Sequence, residues 1–177
     1  MSTPNQQYPI GTFIKPAEIS PAILHDWIAT ISALPEDLGH TIKGFSEQQL
    51  DTPYRAGGWT VRQLVHHLAD SHMNAYCRFK LALTEDKPLI KPYFEDRWAE
   101  LPDAALPVDP SLAILDGLHQ RWTRCLSSLR EEQLAMVFIH PDHGREISIK
   151  EATGMYAWHS KHHLAHILML KKVKGWI

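Results

Sequence analysis

The sequence predicts an all-α fold, an antiparallel four-helix bundle with one small β-hairpin before the last helix. Four long segments repeat apolar residues at helical spacing, each opens on residues that start helices, and one pair of short apolar runs flanks turn residues. A chain of 177 residues, 44% hydrophobic and 21% charged, can bury one core but not two ordinary ones. Residues 1–177 are therefore expected to form a single domain.

Ser20-Pro21 opens the first helix as N-cap and first-turn proline, with Ile23, Leu24, Trp27, Ile28, Ile31 and Leu34 on one face. It should run over 21–43. Pro35 is expected to break or kink it, because an interior proline lacks a donor and clashes with the preceding turn. Ser46 to Leu50 suits one extra turn before a loop ending in Gly57-Gly58. Thr60 and Gln63 then form a capping box for a second helix, whose stripe is Val61, Leu64, Val65, Leu68, His72, Ala75, Phe79 and Leu83.

From Thr84 to Pro107 prolines, acids and aromatics alternate, a composition of an ordered excursion and open to a lid or interface role. Asp109-Pro110 restarts a helix carrying Leu112, Leu115, Leu118, Trp122, Leu126 and Leu129 and ending near Arg130. The run Arg130 to Leu134 echoes Ser46 to Leu50 as a weak internal repeat. Met136 to Ile139 and Arg145 to Ile147 flank His140-Pro141-Asp142-His143-Gly144, the chemistry of a hairpin. Ser148 and Glu151 form a second capping box, and the last helix should span 149–173.

A formal charge of -2 leaves no electrostatic footprint for nucleic acid, and no basic run is dense enough for a membrane surface. Apolar stretches fall short of a membrane span, and MSTPNQQYPIG lacks a signal-peptide pattern, so a cytoplasmic protein is expected. Cys77 and Cys125 lack CxxC spacing and read as reduced, buried thiols. HExxH, GxSxG, GxxxxGK[ST] and GxGxxG are all missing.

The chemistry lies in histidines. His159, His162, His163 and His166 fall within eight residues of the last helix, and His66-His67 lies on the second. Imidazoles one turn apart share a face, and neutral imidazole is the commonest side-chain ligand for transition metals. Ile149, Ala152, Tyr156, Ile167 and Leu170 set the buried face of the last helix, and His159 and His163 fall within it. His162 and His166, with the same spacing, sit toward the flank and remain the alternative pair. His67 is rotated less far from its helix's apolar stripe than His66.

An H-x-x-x-H pair plus one ligand from a second helix gives three donors and one open position, the pattern of a catalytic metal. Zinc, nickel, copper and iron all suit such a set. Asp70, one turn after His67, is placed either to orient a ligand or simply to face solvent. Tyr54, Arg55, Trp59 and Tyr156 are placed to shape a pocket or to pack. His25, His40, His119, His140 and His143 read as surface or core histidines. No carboxylate base obviously accompanies the ligands, which favours chemistry on an incoming thiol over activation of water.

Three blocks, YPIG, LDTPYRAGGWTVRQLVHHLADSHMNAYCRFKLALTED and YAWHSKHHLAHI, occur in order and together resemble the YfiT-like branch of the DinB superfamily. The resemblance implies a four-helix bundle that forms a homodimer, to whose interface Pro92 to Trp98 would be placed to contribute. It implies one divalent metal per subunit, zinc or nickel, held by His67, His159 and His163. His166 stands where the wider superfamily often has glutamine. The implied activity is that of a metal-dependent hydrolase, or of a bacillithiol-transferase-like enzyme conjugating a low-molecular-weight thiol to small electrophiles. A non-catalytic bundle that is stabilised by metal or senses it is the competing expectation.

Overall fold

The computed structural model describes residues 6–142 and 144–176. His143 lies outside the described residues. Four long helices, α1 (Pro21–Ile42), α3 (Val61–Thr84), α5 (Asp109–Leu126) and α7 (Ile149–Lys174), form the expected bundle. Single turns α2 (Glu47–Leu50), α4 (Glu95–Trp98) and α6 (Glu131–Leu134) and a 3-10 turn at Pro102–Ala105 lie between them. Strands β1 (Val137–His140) and β2 (Arg145–Ser148) make the antiparallel hairpin, in register Val137 to Ser148 and His140 to Arg145. None of the described helices is long and apolar enough to cross a membrane.

Local chemistry accounts for the helix starts. Ser20 Oγ accepts from the Ile23 amide, and the Thr60–Gln63 box is complete in both directions. The repeated motifs become two one-turn helices, in which Gln49 and Gln133 each reach back to accept from the amides of Ser46 and Arg130. The Ser148 box is only half made. Ser148 Oγ accepts from the Glu151 amide, but the buried Glu151 carboxylate binds Lys15 and Arg145 instead, since a buried charge needs a charged partner. α5 ends at Leu126, four residues short of expectation, and Cys77 is exposed because it lies off the buried stripe of α3.

Pro35 does not break α1, which continues to Ile42. Its missing amide leaves the Ile31 carbonyl without the usual i+4 donor, and another helix supplies a partner: His119 Nδ1 of α5 lies 2.6 Å from that oxygen.

α1 packs on α5 and α7, and α3 packs on the same two helices. Lys171 donates to the Thr41 carbonyl at 3.1 Å, and Gly154 lies against Trp27, so α1 and α7 run in the same direction. His66 against Ser111 and Phe79 against Trp122 show that α3 and α5 also run together, opposite to the first pair. Two parallel neighbours cannot be joined by a tight turn. The chain from 85 to 108 is the required crossover, and it is held along its length. Ile139 donates to Pro88, Gln63 to Ala99, and Arg62 and His66 reach the Leu106 carbonyl.

Two apolar clusters fill the bundle. One surrounds Phe79, Trp122, Leu126 and Ile149 near the hairpin; the other surrounds Leu38, Leu64, Leu68, Leu115 and Ile167. Along α3, α5 and α7 the residues between the clusters include His72, His119 and His159 to His166. A layer of imidazoles thus crosses the core, which is a costly arrangement unless each ring finds a partner.

Candidate metal centre

α3 brings His67, and α7 brings His159 and His163, to one point. His159 Nε2 lies 3.3 Å from His67 Nε2 and 3.1 Å from His163 Nε2, and all three ligand atoms lie within 4.8 Å of one another. Four donors at about 2.05 Å from a tetrahedral cation would sit about 3.3 Å apart, so the spacing suits zinc-like coordination. The convergence also has a chemical meaning. An imidazole nitrogen offers one in-plane lone pair or one proton, and cannot make two such contacts well without a common third partner.

His67 and His163 are buried. Burial, reinforced by the neighbouring His162, lowers the His67 pKa to about 4. Burial likewise holds His159 and His163 well below the ordinary value. Their lone pairs are therefore free at neutral pH, as metal coordination requires.

A cavity of about 440 Å³ opens over these rings. The loop between α2 and α3 forms one wall. It is closed by Tyr54 donating to the Trp59 carbonyl at 3.1 Å and Val61 donating to Thr52 at 3.2 Å. Gly58 lets this loop fold tightly, because a Cβ there would meet Arg55 Cγ at 2.8 Å. The result places Trp59 on His67, with ring centres 4.5 Å apart, and Arg55 at the cavity edge. The crossover supplies Glu95 and Asp96 to the same cavity. Burial and then the Asp96 charge raise the Glu95 pKa. A carboxylate does accompany the histidines, contrary to expectation. Sequence pattern missed it because α4 is separated from every histidine helix by irregular chain.

The other candidates separate clearly. His66 is occupied elsewhere, with Nε2 at 3.1 Å from the Leu106 carbonyl and Nδ1 at 2.8 Å from Ser111 Oγ. Asp70 contributes none of the hydrogen bonds that join the three rings; burial, with Asp103 nearby, raises its pKa to about 6. Cation-site spacing also recurs in His162, His163 and His166. His162 and His166 are buried rather than flanking, because Trp158 stacks on the first and Tyr54 on the second. His25 and His40 lie at the surface. Tyr156 is not a wall of this cavity but accepts from Arg78 at 3.2 Å.

The orienting partner of His159 is one that sequence reading left in the core. His72 Nε2 lies 3.1 Å from His159 Nδ1, and His72 Nδ1 lies 2.8 Å from His119 Nε2. For His72 the sequence signal was its place on the buried stripe of α3; His119 carried none beyond a surface-or-core reading.

Residues 30–167 match the DinB superfamily. A protein of Bacillus cereus, named "putative metal-dependent hydrolase", is 55% identical over 170 residues, which cover 96% of this chain and 98% of the relative. A protein of the same name from Bacillus anthracis matches to the same extent. The solved structure of YfiT from Bacillus subtilis, described as a probable metal-dependent hydrolase with an unusual four-helix bundle topology, is 48% identical. It covers 98% of this chain and 99% of its own, with a TM-score of 0.95. The mixed helix directions, the three converging imidazoles and these matches agree: the chain belongs to the DinB superfamily and shares the fold of YfiT.

Proposed function

We propose that this protein is a metal-dependent hydrolase of a small molecule, with one divalent cation, zinc or nickel, held by Nε2 of His67, His159 and His163. The observation that carries the reading is the convergence of the three nitrogens at near-tetrahedral spacing on the floor of an open cavity. A cation there supplies Lewis-acid activation of water. Glu95 is the side chain suited to take the proton, since its raised proton affinity brings it closer to neutral pH. Trp59 and Trp158 line the same cavity as apolar surfaces, and Arg55 offers a guanidinium to an anionic group of the substrate. Glu95 and Asp96 remove the reason for preferring an incoming thiol, which was the apparent lack of a base.

Elemental analysis of protein purified without chelators should give one equivalent of zinc or nickel, lost in His67→Ala and His159→Ala. The loaded protein is then incubated with ester and amide panels, and with electrophiles plus low-molecular-weight thiols, and products are read by mass spectrometry. Hydrolysed product without thiol adduct is expected. Adducts in place of hydrolysis would establish the thiol-transferase alternative. Bound metal that raises thermal stability without any turnover would leave the metal a structural role.

A further inference from the structure

The imidazole layer is a directed chain. It begins at the Ile31 carbonyl, which Pro35 deprives of its helical amide donor, and passes through His119 and His72 to His159. His72 is fully buried and His119 is 1% exposed, and their rings lie edge to edge within 17° of coplanar with centres 5.0 Å apart, as an in-plane hydrogen bond requires. A carbonyl oxygen only accepts, and a neutral imidazole has one donor and one acceptor.

Polarity therefore propagates. His119 donates Nδ1–H to Ile31, which leaves its Nε2 as acceptor. His72 must then donate Nδ1–H to His119, which leaves its own Nε2 as acceptor. His159 must donate Nδ1–H to His72, which leaves the lone pair on Nε2, the atom facing His67 and His163. The reverse polarity would put a proton on the nitrogen needed for coordination. Both rings are buried, and their nitrogens meet only the Ile31 carbonyl and other imidazoles, which gives an imidazolium no counter-charge at any link.

We propose that His119 and His72 are positioning residues that, anchored on the Ile31 carbonyl, fix the Nδ1–H tautomer of His159 and present its Nε2 for coordination. The functional meaning rests on the metal-centre reading above, whereas the tautomer assignment rests on this chain alone.

Long-range ¹H–¹⁵N correlation spectra of ¹⁵N-histidine-labelled protein, metal-free and zinc-loaded, test the two separately. Wild type should show Nδ1–H on His119, His72 and His159 in both states. His119→Phe, which keeps a ring against His72, should leave His159 as mixed tautomers when metal-free. It should also weaken zinc binding about 10- to 100-fold in chelator competition. Nε2–H on His72 or His159 in wild type overturns the proposal, and that measurement needs no variant to fold. Zinc affinity within twofold of wild type in a folded His119→Phe overturns the positioning role. Wild type with the expected tautomers but no zinc binding overturns the metal-centre reading and leaves the tautomer assignment standing.

Discussion

The buried His67 makes the metal-free protein sensitive to mild acid. In the unfolded chain this ring titrates near 6.5, and in the fold near 4. Above pH 6.5 it is neutral in both states and has no effect. As pH falls below 6.5 the unfolded chain takes up a proton that the folded ring refuses, so stability is lost progressively until about pH 4. The full gap is worth about 3 kcal/mol, of which about 2 kcal/mol is lost by pH 5. His72, His159 and His163, also lowered by burial, act in the same direction. Asp70, raised to about 6, acts oppositely between pH 6 and its ordinary range, though only in part because it is half-buried. Urea unfolding with chelator present, at pH 7 and pH 5, reads the effect. With a slope of about 2 kcal/mol per molar, the His67 share alone moves the midpoint by roughly 1 M. His67→Gln should shrink the pH 7 to pH 5 difference by that share. Equal wild-type midpoints at the two pH values would refute the reasoning, and undiminished acid sensitivity in His67→Gln would refute its assignment to this ring.

Three further perturbations separate packing from chemistry. Gly154→Ala drives a methyl group to within 2.7 Å of the Trp27 ring at the α1–α7 seam and should cost about 1–3 kcal/mol by calorimetry. Gly117→Ala, exposed in α5 with nothing within 4 Å, should instead add up to about 1 kcal/mol. Glu95→Gln should lower the hydrolytic kcat about 10²- to 10⁴-fold while leaving zinc stoichiometry unchanged, by steady-state kinetics and elemental analysis; unchanged kcat would remove Glu95 from the reaction.

Periodicity and caps made the four helices and the hairpin legible, because each is specified by residues within a few positions of one another. Helix phase also singled out His159 and His163, and gave a lean toward His67 over its neighbour. Helix direction was not legible: an apolar stripe says which face is buried but not which neighbour covers it. The paired contacts of His66 with Ser111 and Phe79 with Trp122 reveal that α3 and α5 run together. Pro35 looked like a break or a kink because its benefit lies on another helix, in the His119 bond to the carbonyl it leaves free. His72 looked like a core residue and His119 like a surface or core one; both are buried, and the bonds that join them to the site run between residues 47 and 87 positions apart.

The order of the helices along the chain also bears on when the centre can exist. His67 meets His159 across 92 positions, and α1 meets α7 across 130 at Lys171 and Thr41. Until α7 docks, the His159–His163 pair that it carries stays apart from His67, and such distant contacts are the slow ones to form. A cation that binds only the docked arrangement adds its binding free energy to the closing step and must be released before α7 can leave. Metal loading would then act as a latch on the rate of unfolding, with a lifetime set by cation release rather than by helix packing alone.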